Sequence, residues 1–237
     1  MTSRIIKITR MTFAELYDSQ ILICSGILLL HVLISVAVIR LVNTPGPAGT
    51  GDFIALITIP ILTIVFFSPG FKYVLSQGIS RKTYFLAASL DIALLAAVLA
   101  VIVTIFYAIS LKVANVWMIY KLLYRNENLL SVVIWEFGAL FFLGMLGWFI
   151  RLVYYVSNRT AKYTVSIAPF VVAALFVLFN AMVDGRMGRA IWDFLKTVMG
   201  FSYVNPAPHI GMATMLAAAV ILGGPVFLLL RRAQINE

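Results

Sequence analysis

The sequence predicts an all-α membrane protein with six transmembrane helices. Three observations carry this. Of 237 residues, 62% are hydrophobic and 11% are charged, whereas soluble globular chains carry about 25% charged residues. The mean hydropathy is +1.03. The apolar runs are long enough for spanning helices rather than strands, and only a helix or a closed barrel satisfies its own backbone in lipid. A net charge of +9 would point to nucleic acid in a soluble chain. Here the basic residues flank apolar runs, which assigns them to topology and lipid headgroups and not to nucleic acid. The single cysteine, Cys24, excludes an intrachain disulfide and a multi-cysteine metal cluster.

Residues 1–20 gather Ile5, Ile6, Phe13, Leu16 and Tyr17 on one helical side. Arg4, Lys7, Arg10, Glu15 and Asp18 fall on the other, the pattern of a helix lying in the membrane plane. The apolar run that follows is long and has no small-x-small cleavage site, so it reads as a span rather than a signal peptide. The spans are expected at residues 21–39, 53–67, 84–109, 129–150, 163–183 and 210–230. The second holds Pro60, a plausible kink. Ser68-Pro69-Gly70 is turn chemistry and is expected to end it. A short helix over residues 71–77 follows, with Gly78 in the left-handed position past its end and Ser80 capping the next helix.

The third span carries the pairs Ala93/Ala97 and Ala96/Ala100, small residues four apart that permit close helix approach. In the connector after it, Trp117, Tyr120 and Tyr124 sit beside Lys121 and Arg125 and read as interfacial anchors. The fourth span contains Gly138, Gly144 and Gly147, and the fifth contains Pro169. In the connector before the last span, Ile191, Leu195, Val198 and Met199 share one helical face. Arg189, Asp193 and Lys196 share the other, so a surface helix is expected there. The last span should be bent or broken at Gly223-Gly224-Pro225. With the N-terminus inside, 11 of the 18 Lys and Arg residues lie on the inner side. This places both termini in the cytoplasm by the positive-inside rule.

Ionisable residues within spans are the usual pointers to function. His31 is expected near the midplane, Asp91 about 10–15 Å in from the inner side, and Glu136 about 10 Å in from the outer side. An unpaired aspartate at the centre costs roughly 2.5–3.5 kcal/mol on the insertion scale. His31, Asp91 and Glu136 are therefore expected to face a partner, water or an intramembrane polar pathway. Enzyme motifs are lacking: there is no phosphate-binding loop, no H-E-x-x-H and no pair of histidines at metal spacing. Neither catalytic nor metal-binding residues are expected, and no cofactor on this chain.

The basic stretch FKYVLSQGISRKTYF, residues 71–85, resembles the segment between the second and third spans of ABC-2-type permease subunits of bacterial ATP-binding-cassette transporters. The resemblance implies that this segment is a cytoplasmic coupling helix docking on a separate ATP-binding subunit through Phe71, Lys72, Leu75, Gln77, Gly78 and Arg81. It implies that residues 1–20 form an elbow helix and that the surface helix before the last span is part of an outer re-entrant hairpin. It further implies a second permease subunit, identical or related, ATP and Mg on the partner ATPase, and a bacterial cell membrane. The cargo would be an amphipathic or hydrophobic substrate such as a peptide, moved outwards. An ordinary loop whose Arg81 and Lys82 set topology accounts for the same residues. A non-transporting scaffold or sensor, or a proton-coupled secondary transporter using His31, Asp91 and Glu136, are the alternatives.

Overall fold

The structure is a computed structural model and describes residues 26, 30, 52–113, 118–125, 128–201 and 206–233. The expected elbow helix, most of the first span and His31 lie outside those residues. Seven helices have defined bounds: α1 Asp52–Ser76, α2 Arg81–Val113, α3 Ile119–Tyr124, α4 Leu129–Val156, α5 Arg159–Met182, α6 Arg186–Met199 and α7 Pro208–Arg232. Four of them, α2, α4, α5 and α7, are long and apolar enough to cross a membrane. No strand occurs among the described residues.

Two expected breaks are not there. α1 runs without interruption through residues 68–70, so residues 71–77 are its last turns and not a separate short helix. A proline inside a spanning helix frees one carbonyl, and packing by neighbouring helices compensates. Beyond Pro69 that packing is present: Phe71 and Val74 are buried with Tyr84 and Trp148. Likewise α7 is continuous across Gly223-Gly224-Pro225. There Gly223 and Val226 are buried, and a Cβ on Gly223 would lie 3.6 Å from Phe85 and 3.8 Å from Met145. Tertiary contact overrides the local turn chemistry in both places.

α4 is the hub, packing most extensively against α7, α1 and α2. Between helices that cross a membrane, lipid tails are as apolar as the helix surfaces, so close van der Waals packing rather than the hydrophobic effect would drive such contacts. The closeness depends on the α4 glycines. A Cβ on Gly147 would fall on Thr63 Oγ1 and lie 2.5 Å from the Pro60 carbonyl oxygen. A Cβ on Gly144 would lie 2.6 Å from Ile92. The core divides into two clusters. One contains Ile59, Leu99, Tyr120 and Trp135; the other, towards the loop between α1 and α2, contains Phe71, Trp148 and Leu230.

α5 and α6 lie at the periphery, with no buried residue in either. Asn158 caps α5 by accepting from the Ala161 N–H at 2.9 Å. α6 is the expected amphipathic surface helix. Its last carbonyls, orphaned as at any helix end, are taken up by side chains from other elements. Thr214 Oγ1 donates to Val198 at 2.6 Å and Tyr124 Oη to Met199 at 2.7 Å.

Candidate functional site

The chain turns sharply between α1 and α2. Gly78 has φ 70, in the left-handed region where a residue with a Cβ pays a penalty. The Gly78 N–H donates to Leu75 at 3.0 Å and the Ile79 N–H to Val74 at 3.4 Å, the bond pair of a Schellman ending. Ser80 Oγ then accepts from the Thr83 N–H at 3.2 Å and caps α2. Both local expectations, Gly78 as the stop and Ser80 as the start, correspond to this geometry.

The same turn presents the expected docking residues unequally. Phe71 is fully buried in this chain, with ring centroids 5.3 Å from Tyr84 and 5.9 Å from Tyr155. It holds the end of α1 from within. Leu75 is half-buried, and Gln77, Gly78 and Lys82 are exposed. The Lys72 side chain lies outside the described residues. Arg81 and Lys82 occupy the first turn of α2, where the helix dipole disfavours cations. Arg81 offsets this by donating to the backbone carbonyl of Arg231, in the last turn of α7. It thereby joins the electropositive start of one helix to the electronegative end of another. Nothing in the local sequence around Arg81 signals that partner 150 residues away.

At the opposite end of α4 the structure builds an acidic and aromatic cluster. Glu136 is fully buried, and neither of its carboxyl oxygens has a hydrogen-bond partner among the described residues. It lies within electrostatic reach of Asp52, the first residue of α1, which is also fully buried. Asp52 Oδ2 accepts from the Ile119 N–H at 2.7 Å. This carboxyl therefore caps α3 from another element, since Met118 at the cap position supplies no side-chain bond. Burial, opposed by backbone N–H groups led by Ile119, pushes the Asp52 carboxyl up to about 6.

Tyr120 and Tyr124, expected as interfacial anchors, are fully buried instead. Their rings meet Trp135 edge to face, with centroids at 5.8 and 6.2 Å. Trp135 Nε1 donates to Tyr124 Oη at 3.3 Å. Tyr124 Oη fills the space that a Cβ on Gly211 would take. Burial, with the Trp135 bond working against it and Tyr120 reinforcing it, pushes the Tyr124 hydroxyl up to about 12.

Set against models of known protein families, curated proteins and solved structures, the chain matches none.

The chemistry of the two ends therefore rests on their own residues. Asp91 is buried on α2, beside Ile92, which meets Gly144 on α4. Gly144 and Glu136 are eight residues apart, so Asp91 and Glu136 occupy levels about 12 Å apart along α4. Glu136 is instead placed with Asp52, which lies just outside the expected second span and so is not among the intramembrane candidates. Its signal was present: an acidic residue immediately before an expected span. Among the described residues no group of three or more His, Cys, Asp or Glu side chains is placed to hold a metal.

Proposed function

We propose that this chain is the permease subunit of an ABC-2-type transporter, exporting an amphipathic or hydrophobic substrate such as a peptide. In this reading it has six spans in a bacterial cell membrane, with both termini cytoplasmic. A separate ATPase subunit binds ATP and Mg, and a second permease subunit completes the substrate path. The supporting observation is the turn between α1 and α2. It is held rigidly by the Gly78 stop, the Ser80 cap and buried Phe71, yet exposes Gln77, Gly78 and Lys82. A stiff, basic, exposed tip rooted in two long helices can pass a push to both. Phe71 then transmits force from inside, and the contact surface is Leu75, Gln77, Gly78, Arg81 and Lys82.

The test is Lys82→Glu. A glutamate in the first turn of α2 suits the helix dipole, so folding should be retained. The tagged wild-type chain should co-purify with an ATP-hydrolysing subunit, and the variant should lose that partner in a salt-dependent manner. A chain that purifies without any ATPase, and alters no ATP hydrolysis in reconstituted membranes, would overturn the proposal. The buried Glu136–Asp52 pair favours a second reading, proton-coupled transport. ATPase-independent flux that follows a pH gradient and is lost in Glu136→Gln would establish it.

A further inference from the structure

A lateral groove of about 430 Å³ opens between α2, α4 and α7. Phe85 and Ser89 line it from α2, Phe141 and Met145 from α4, and Gly224 and Phe227 from α7. Its volume is that of small-molecule sites, and its wall is almost wholly apolar. Phe85 and Phe227 close one end, with ring centroids 5.3 Å apart.

One helical turn beyond that end, both helices become basic. Arg81 precedes Phe85 by four residues, and Arg231 follows Phe227 by four. Residues four apart share a helix face, so each arginine continues the row that lines the groove. The two rows are brought together by the Arg81 bond to the Arg231 carbonyl. Lys82, Arg231 and Arg232 are exposed at this end. α2 contains one acidic residue, Asp91, ten positions from Arg81; α7 contains none, and the α4 segment from Phe141 to Val156 contains none. The groove thus has an apolar trough and a cationic mouth without an opposing carboxylate on these elements.

We propose that this groove is a binding site for an anionic phospholipid of the leaflet on the Arg81–Arg231 side. An acyl chain lies along Phe85, Met145 and Gly224, and the phosphate meets Lys82, Arg231 and Arg232. Charge complementarity selects this occupant. Basic pockets between spanning helices at the cytoplasmic side are suited to anionic headgroups, and each basic side chain near the surface strengthens the attraction about fivefold. Gly224 leaves the trough open: a Cβ there would meet nothing within 4 Å. The site does not depend on any transport activity.

The experiment uses the full chain purified in a neutral detergent. Phosphatidylglycerol or phosphatidylcholine is added, and binding is read by thermal shift and by native mass spectrometry. Phosphatidylglycerol should bind at least about fivefold more tightly and add one tightly held lipid per chain. Arg231→Gln combined with Arg232→Gln should bring it down to the phosphatidylcholine level. Gly224→Leu fills the trough and should remove the response to both lipids while the lipid-free melting temperature holds. Val220→Trp, at a position 72% exposed on the same wall, serves the same purpose should Gly224→Leu fail to fold. Equal affinity for the two lipids in the wild type, or unchanged lipid binding in a filled-groove variant, would overturn the proposal. So would a lipid-free dimer that the filled-groove variant disrupts, since the occupant would then be a second copy of the chain.

Discussion

Asp52 does two things that pull against each other. It caps α3 from another helix, which favours a full negative charge on the acceptor. It is also fully buried beside Glu136, which disfavours that charge. Burial wins, and the carboxyl is raised from 3.8 to about 6. The folded state then holds a proton that the unfolded state has released between those two values. Stability should rise as pH falls through about 6 and level off below about 4. At about 1.4 kcal/mol per unit, the full gain from this group is roughly 3 kcal/mol. Purified protein should therefore melt at a higher temperature at pH 5 than at pH 7.5. Asp52→Asn keeps a side-chain oxygen for the Ile119 N–H but cannot titrate, so its melting temperature should lose most of that pH response. Parallel pH profiles for the two proteins would show that another group carries the effect. The capping role was beyond reach from sequence, because Ile119 lies 67 residues from Asp52 and no local pattern links them.

Among the elements, the pairing of α1 with α4 concentrates the sequence-to-structure problem in two residues. Pro60 reads as a kink and Gly147 as a small residue in a span, and both readings are local. The structure brings them together: Gly147 lets the α1 backbone at Pro60 approach α4 to within contact. Gly147→Ala places a Cβ 2.5 Å from the Pro60 carbonyl oxygen, and backbone cannot yield as a flexible side chain can. The expected cost is about 1–3 kcal/mol, measured as a loss of melting temperature in detergent. Gly224→Ala, which meets open space, should leave it unchanged. Equal behaviour of the two variants would remove the close-contact account. Helix existence was legible from apolar run length, as α2, α4, α5 and α7 illustrate. The ends were less so. Residues 68–70 carry strong turn chemistry, yet burial of Phe71 and Val74 keeps α1 helical through them. Tyr120 and Tyr124 show the same limit: their spacing marks a helix face, but only packing against Trp135 and Gly211 decides that this face is inside.

For the whole molecule, side-chain contacts fix which helix ends lie together. Arg81 at the start of α2 touches the end of α7, so those two ends lie together. Tyr124 in α3, the connector between α2 and α4, donates to Met199 at the end of α6. α6 therefore lies on the α3 side. α5 begins where α4 ends, on the Arg81 side, and leads into α6, so it runs from one end of the fold to the other. α2, α4, α5 and α7 are the four helices long and apolar enough to cross, and four crossings would return the chain to the side it left, in keeping with the Arg81–Arg231 contact. The side holding Arg81, Lys82, Arg151, Arg159, Lys162, Arg231 and Arg232 is the more basic and should face the cytoplasm. Three of these helices, α2, α4 and α5, separate Gln77 from Asp193, so if all three cross, these two exposed positions fall on opposite sides whatever precedes residue 52. In a Cys24→Ser background, an impermeant maleimide added to intact cells should label Asp193→Cys, whose native side chain is 71% exposed, and spare Gln77→Cys until the membrane is opened. Labelling of Gln77→Cys alone would invert the orientation and leave the crossing count intact. Labelling of both from outside would break the crossing count itself, and with it the placement of α5 as a span.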